Sequence, residues 1–97
     1  MIRSFGNRGT DDLFYGRPTR HARALLPQQL CKRAIRKPDQ LDSAVLLEEL
    51  RVNPGNRLES LRGDRSGQHS IRINDQYRIC FVWTDSGPEE VEIVDYH

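Results

Sequence analysis

The C-terminal third of the chain most tightly restricts the fold, because its strand pairing can be worked out from alternation alone. The runs Gln68–Ile73, Gln76–Thr84 and Glu89–Tyr96 are rich in Ile, Val, Tyr, Phe and Trp, and they read as three strands. Asp85-Ser86-Gly87-Pro88 turns the second run into the third, and Asn74-Asp75 turns the first into the second. The register across the Asn74-Asp75 turn decides which side chains are buried. A two-residue loop would set Ile73 against Gln76 and Ile71 against Arg78, mixing apolar and charged groups on both faces. A three-residue loop sets Ile73 against Tyr77, Ile71 against Ile79 and His69 against Phe81. The other face then carries Arg72 beside Arg78 and Ser70 beside Cys80. The second register separates the faces, so it is the one expected.

The preceding residues read as one short strand and a helical layer. Met1 to Phe5 alternates and predicts a first strand, which Asn7-Arg8-Gly9-Thr10 breaks. Thr10-Asp11-Asp12-Leu13 predicts a helix start, with acids in the first turn where the helix dipole favours them. Gly16-Arg17-Pro18 closes that segment, and Pro27 suits the first turn of the next helix. From there Leu30, Ala34 and Leu41, flanked by Cys31 and Ile35, repeat at helical spacing and predict one buried stripe. Pro38 removes an internal hydrogen bond and predicts a kink or an end near Lys37. Leu41 to Leu50 reads as a further helical stretch, and Asn53-Pro54-Gly55-Asn56 as a loop. The expected architecture is α+β, with an N-terminal strand and helices packed on an antiparallel sheet whose last three strands form a meander.

Ninety-seven residues suffice for one modest core, so residues 1–97 are expected to form a single domain. With 36% hydrophobic and 30% charged residues, no apolar run approaches a bilayer span. Met-Ile-Arg-Ser-Phe-Gly-Asn-Arg at the start has no apolar core of a secretory signal, which predicts a cytoplasmic protein. Cys31 and Cys80 lie far apart and outside metal-ligand spacing, so buried thiols are expected rather than a disulfide. His21, His69 and His97 also lack ligand spacing, and no metal or other cofactor is expected. No glycine-rich nucleotide loop or nucleophile elbow is present.

Charge is segregated along the chain. Residues 1–38 hold nine Lys and Arg against two acids, whereas residues 84–97 hold five acids and no Lys or Arg. Such a division marks a nucleic-acid face, a site for an oppositely charged partner, or simply a basic helix lying near an acidic strand. Arg78 sits mid-strand beside Arg72, either on a solvated face or aimed at a ligand. Arg62-Gly63-Asp64-Arg65-Ser66-Gly67 combines two guanidiniums with two glycines, a composition that lets backbone approach a phosphate but also makes an ordinary turn. The phosphate-binding candidates are therefore Arg62, Arg65, Arg72 and Arg78. In the last strand, alternation puts Val91, Ile93, Asp95 and His97 on one side and Glu92, Val94 and Tyr96 on the other. If the strand holds to its end, His97 is placed to move a proton near neutral pH.

The stretch from Asn56 to Phe81, N-R-L-E-S-L-R-G-D-R-S-G-Q-H-S-I-R-I-N-D-Q-Y-R-I-C-F, resembles the signature of HigB-type toxins in the RelE/ParE superfamily, also known as plasmid maintenance killer proteins. The opening M-I-R-S-F and the closing V-D-Y-H are similar to that family too, so the resemblance spans essentially the whole chain. It implies a RelE-like fold and the toxin of a bacterial type II toxin–antitoxin system. Such toxins cut mRNA on the ribosome without metal and are neutralised by a helix-turn-helix, HigA-like antitoxin, which also contacts operator DNA. By position, the resemblance implies that Arg78 braces the scissile phosphate and that Asp95, Tyr96 and His97 contribute to the active site. Arg62 stands where many relatives have lysine, and Glu59 where some have a catalytic histidine. Either His97 takes more of the proton transfer here, or Glu59 lowers the activity. The alternative is a non-enzymatic binding module on the same scaffold. It would be a ParE-like gyrase poison, or a decayed toxin that binds only antitoxin and operator DNA.

Overall fold

The computed structural model describes residues 1–26 and 31–95, with the backbone alone at residues 31–35. Among the described residues, four α-helices and four strands follow in the order α1 (Arg8–Phe14), α2 (Arg20–Leu25), α3 (Cys31–Ser43), α4 (Glu49–Val52), β1 (Glu59–Ser60), β2 (His69–Arg72), β3 (Tyr77–Thr84) and β4 (Gly87–Asp95). The strands form one antiparallel sheet in sequence order.

The β2–β3 turn has the three-residue register expected. His69 pairs with Phe81, Ser70 with Cys80, Ile71 with Ile79 and Arg72 with Arg78. A side chain enforces it: Asn74 Oδ1 accepts from the backbone N–H groups of Gln76 and Tyr77, at 2.9 and 2.8 Å. Such an Asx contact closes a loop of this size and leaves Ile73 N–H to bond the Tyr77 carbonyl at 3.0 Å. Ile71, Ile79 and Phe81 are consequently sealed in the core together with Leu41, Val91 and Ile93. Removing each such side chain from water contributes about 1.5–3 kcal/mol.

Three segments depart from the expected elements. The N-terminal strand reduces to a single parallel bridge between Phe5 and Val91. Residues 3–6 still follow β4, with Arg3 N–H bonded to Pro88 O and Gly6 N–H to Val91 O, both at 2.8 Å. The β3–β4 pairing is irregular between Cys80 and Val82, and Glu90 of β4 has a φ of 53°. Helix α3 does not end at Lys37 but runs through Pro38 to Ser43. Pro38 and Leu41 are both fully buried, and that packing offsets the one lost backbone bond. Beyond Ser43 the chain turns, so the helix expected over Leu41 to Leu50 is replaced by the end of α3 and the single turn α4. The loop at Asn53–Asn56 is a 3-10 turn over Pro54–Asn56, capped by the Asn53 side chain on Gly55 N–H. Pro27 and Leu30 lie outside the described residues, as do the side chains of Cys31, Ala34 and Ile35.

Helix α1 begins two residues before Thr10, capped by Asn7 rather than by Thr10. Thr10 is instead buried within the helix, where its hydroxyl accepts from Ile93 N–H at 2.9 Å and ties α1 to β4. Gly9 lets α2 come close, since a Cβ there would sit 2.8 Å from the His21 carbonyl oxygen. Asp12 locks the two helices: it accepts from the Thr19 hydroxyl at 2.7 Å and from Arg17 at 3.3 Å, while Thr19 caps α2.

The Thr19 hydroxyl holds the Asp12 carboxyl below its usual range, with burial pulling the other way and Arg17 adding to the depression. A carboxyl whose folded value is depressed stabilises the fold above its unfolded value and loses that contribution as pH falls through the folded one. The melting temperature of the wild type should therefore exceed that of Asp12→Asn above the ordinary aspartate value of about pH 3.9, and the gap should shrink as pH falls below it. Thermal unfolding followed by circular dichroism on both sides of that pH checks this.

Candidate functional site

The face of the sheet opposite the core is polar. The register that buries Ile71 and Ile79 places Ser70, Arg72, Arg78, Cys80, Glu92 and Val94 together on this side, with Glu59 of β1 opposite Ser70. Arg78 lies at its centre and is only 7% exposed. Taking a guanidinium out of water is costly unless its N–H groups are bonded. Here Nε donates to Ser70 Oγ at 2.8 Å, and Nη2 donates to the Arg57 carbonyl at 2.7 Å and more weakly to the Ser70 carbonyl at 3.4 Å. The half-exposed Glu59 carboxylate stands 3.8 Å from the same Nη2. These contacts fix the plane of the guanidinium, which a single surface ion pair does not do.

The remaining cations are arranged differently. Arg65, in the 3-10 turn Gly63–Arg65, reaches across to Glu92 Oε1 at 2.6 Å and to Gln68 at 3.1 Å. Arg72 pairs with Arg78 in the ladder, but its guanidinium turns to Asp75. Arg62 is exposed at the residue that opens the Gly63–Arg65 turn. Asp95, exposed at the end of β4 opposite Tyr77, accepts from Gln76 Nε2 at 3.1 Å. The structure thus brings Arg78 and Glu59 together directly. Tyr96 and His97, the last two members of the expected site, lie outside the described residues. Cys80 is sealed beside Arg78, and burial pushes its thiol up while Arg65 pulls the other way. A protonated buried thiol is not a nucleophile at neutral pH.

Two groups that hold Arg78 escape a reading of the sequence. Ser70 was placed on this face by the register, but nothing in the sequence singled it out as a partner for Arg78. Arg57 contributes only its carbonyl, turned inward by a left-handed backbone at φ 45°, ψ 57°. No residue pattern announces that conformation, because an arginine rarely adopts it.

A family model described as the RelE-like toxin of the type II toxin–antitoxin system HigB matches residues 4–97. The chain belongs to this toxin family. It is 43% identical over 72 residues to Toxin HigB-1 of Vibrio cholerae, a match that spans 74% of each protein. It is also 33% identical over 61 residues to an uncharacterised protein of Haemophilus influenzae, covering 63% of this chain and 60% of that one. In three dimensions it is similar to a chain of the YoeB–YefM complex from Staphylococcus aureus, with a TM-score of 0.56. That superposition covers 100% of this chain and 98% of the other at 14% identity, a likeness of fold. The α+β, RelE-like architecture expected from the sequence is borne out, and the protein is a RelE-like type II toxin.

Within this toxin the Ser70–Arg78 bond is internal and charge-assisted. Ser70→Ala should lower unfolding stability by about 1.5–3 kcal/mol, because Nε would keep its burial and lose its acceptor. Urea denaturation should show a reduced midpoint with an unchanged slope.

Proposed function

We propose that this toxin is a ribosome-dependent mRNA endoribonuclease that stops translation by metal-independent cleavage. The observation that carries the reading is the buried, multiply bonded guanidinium of Arg78 with a carboxylate, Glu59, 3.8 Å away. Cleavage by an internal nucleophile asks for little more than alignment, proton transfer and charge stabilisation. The ribose 2′-OH attacks the adjacent phosphorus in line with the departing 5′-oxygen, so the P–O5′ bond breaks as the 2′-O–P bond forms. A base takes the 2′-OH proton and an acid supplies one to the 5′-oxygen. Arg78, with Arg62 as a second cation, stabilises the charge that builds on the phosphate oxygens.

In this scheme Glu59, Asp95, Tyr96 and His97 are the groups that handle protons and orient the ribose, with His97 the acid or base suited to neutral pH. Arg65 and Arg72 guide RNA phosphates from the margins of the face, working beside their partners Glu92 and Asp75. The surplus of basic residues in the first 38 positions would add long-range attraction for ribosomal RNA. Loosened mRNA on the ribosome suits the reaction, since the 2′-OH must be free to align. A helix-turn-helix antitoxin of the HigA type would neutralise the enzyme and connect it to operator DNA. The site of action is the cytoplasm, where ribosomes are. Among the described residues no helix is long and apolar enough to cross a membrane.

Induced expression with mapping of mRNA 5′ ends tests the proposal. New ends in translated messages should accompany growth arrest, and Arg78→Ala should remove both while leaving a folded protein. Growth arrest with intact mRNA and accumulated gyrase–DNA cleavage complexes would instead favour a gyrase poison. Deleting His97 should slow cleavage by about 10²-fold or more if it moves a proton. An unchanged rate would remove it from the mechanism. The purified toxin should leave free RNA largely intact until programmed ribosomes are added.

A further inference from the structure

Arg78 is held by a backbone carbonyl that is itself held by a buried side chain, Asn56. Asn56 is 1% exposed, and its amide is used on both ends. Oδ1 accepts from Lys37 Nζ of α3 at 2.6 Å. Nδ2 donates to Gln40 Oε1 of α3 at 3.2 Å and to the Leu50 carbonyl of α4 at 3.0 Å. A buried amide is tolerated only when satisfied in this way, so these bonds pin the 54–56 turn to the helical layer. Its own N–H returns to the Asn53 carbonyl at 3.0 Å. The next residue, Arg57, must leave this turn in the left-handed region, a conformation that persists only where the surroundings impose it. Its N–H bonds Pro54 O, its side chain is exposed, and its carbonyl accepts from Arg78 Nη2 at 2.7 Å.

We propose that Asn56 is a positioning residue for Arg78, acting through the carbonyl of Arg57 to set the angle at which the guanidinium meets the scissile phosphate. The path is continuous: Lys37 and Gln40 on α3, the Asn56 amide, the left-handed Arg57, then Nη2 of Arg78. Asn56 touches neither substrate nor reacting atoms. Its effect falls on the chemical step, because charge stabilisation of a phosphate depends on donor direction as well as distance. This role in catalysis rests on the endoribonuclease reading above, whereas its structural half does not.

Asn56→Ala, with Leu13→Ala as a core variant on α1 outside the relay, separates the possibilities. Two quantities are measured on the intact chain: the kinetics of mRNA cleavage on programmed ribosomes, and the Nε–H resonance of Arg78 in a 15N-labelled sample. At a temperature where both variants are folded, Asn56→Ala should lower kcat about 10- to 100-fold with KM little changed. The Arg78 Nε–H signal should shift and exchange faster with solvent. Leu13→Ala should match the wild type in kcat and in that signal, although it also melts earlier. A kcat within about twofold of wild type in Asn56→Ala, or an equal loss in Leu13→Ala, would overturn the catalytic role. An unmoved Arg78 signal would overturn the positioning itself. If the wild type cuts no mRNA on ribosomes, the endoribonuclease reading fails alone, and the resonance still decides whether Asn56 orients Arg78. Should Asn56→Ala fail to fold, Asn56→Asp serves with the same two measurements. It retains the Lys37 contact but sets a carboxylate oxygen against the Leu50 carbonyl, and the same unmoved signal would sink the proposal.

Discussion

The side chain of Asn74 sets the geometry on which the rest of this protein depends. By accepting from two successive backbone N–H groups it fixes a three-residue turn, and with it the parity of every side chain on β2 and β3. A slip of one residue would carry Arg78 into the hydrophobic layer and Ile79 onto the polar face. The core and the candidate site are therefore two consequences of one short contact. Neither is adjustable without the other.

Much of this was legible because alternation has a fixed period. The pairings His69–Phe81, Ser70–Cys80, Ile71–Ile79 and Arg72–Arg78 were deducible from which residues can share a face, and the structure has all four. What was not legible depends on tertiary contacts that no local pattern encodes. Strand β1 consists of two exposed polar residues, Glu59 and Ser60, and has no alternation to read. Pro38 looked like a helix end, but its ring is buried, and packing outweighs intrinsic propensity there. Thr10 looked like a helix start and is a buried link to β4. Within the site, Arg78 and Glu59 were named from the sequence and stand side by side, whereas the carbonyl of Arg57 was invisible until the backbone was seen.

Two of the polar clusters among the described residues have different consequences. Around Asp12, one carboxylate with Thr19 and Arg17 joins α1 to α2, and its charges serve the fold. Around Arg78, a desolvated guanidinium donates to the neutral oxygens of Ser70 and Arg57, with the Glu59 carboxylate 3.8 Å away. A guanidinium held in so dry a setting acts more strongly on a nearby charge than it would in water. The half-exposed carboxyl of Glu59 is one such charge.

The N-terminal segment, which failed to form a proper strand, also closes a flank. Outward-facing groups along β4 are taken by residues 3–6 and by α1: Val91 N–H goes to Ser4 O, Ile93 N–H to the Thr10 hydroxyl, and the carbonyls of Pro88 and Val91 receive Arg3 and Gly6. At the opposite flank, β1 offers only two residues. A sheet with one border occupied and the other this short gives a neighbouring chain almost nothing to extend. The frayed-looking first residues are thus the sheet's guard against growing into its neighbours.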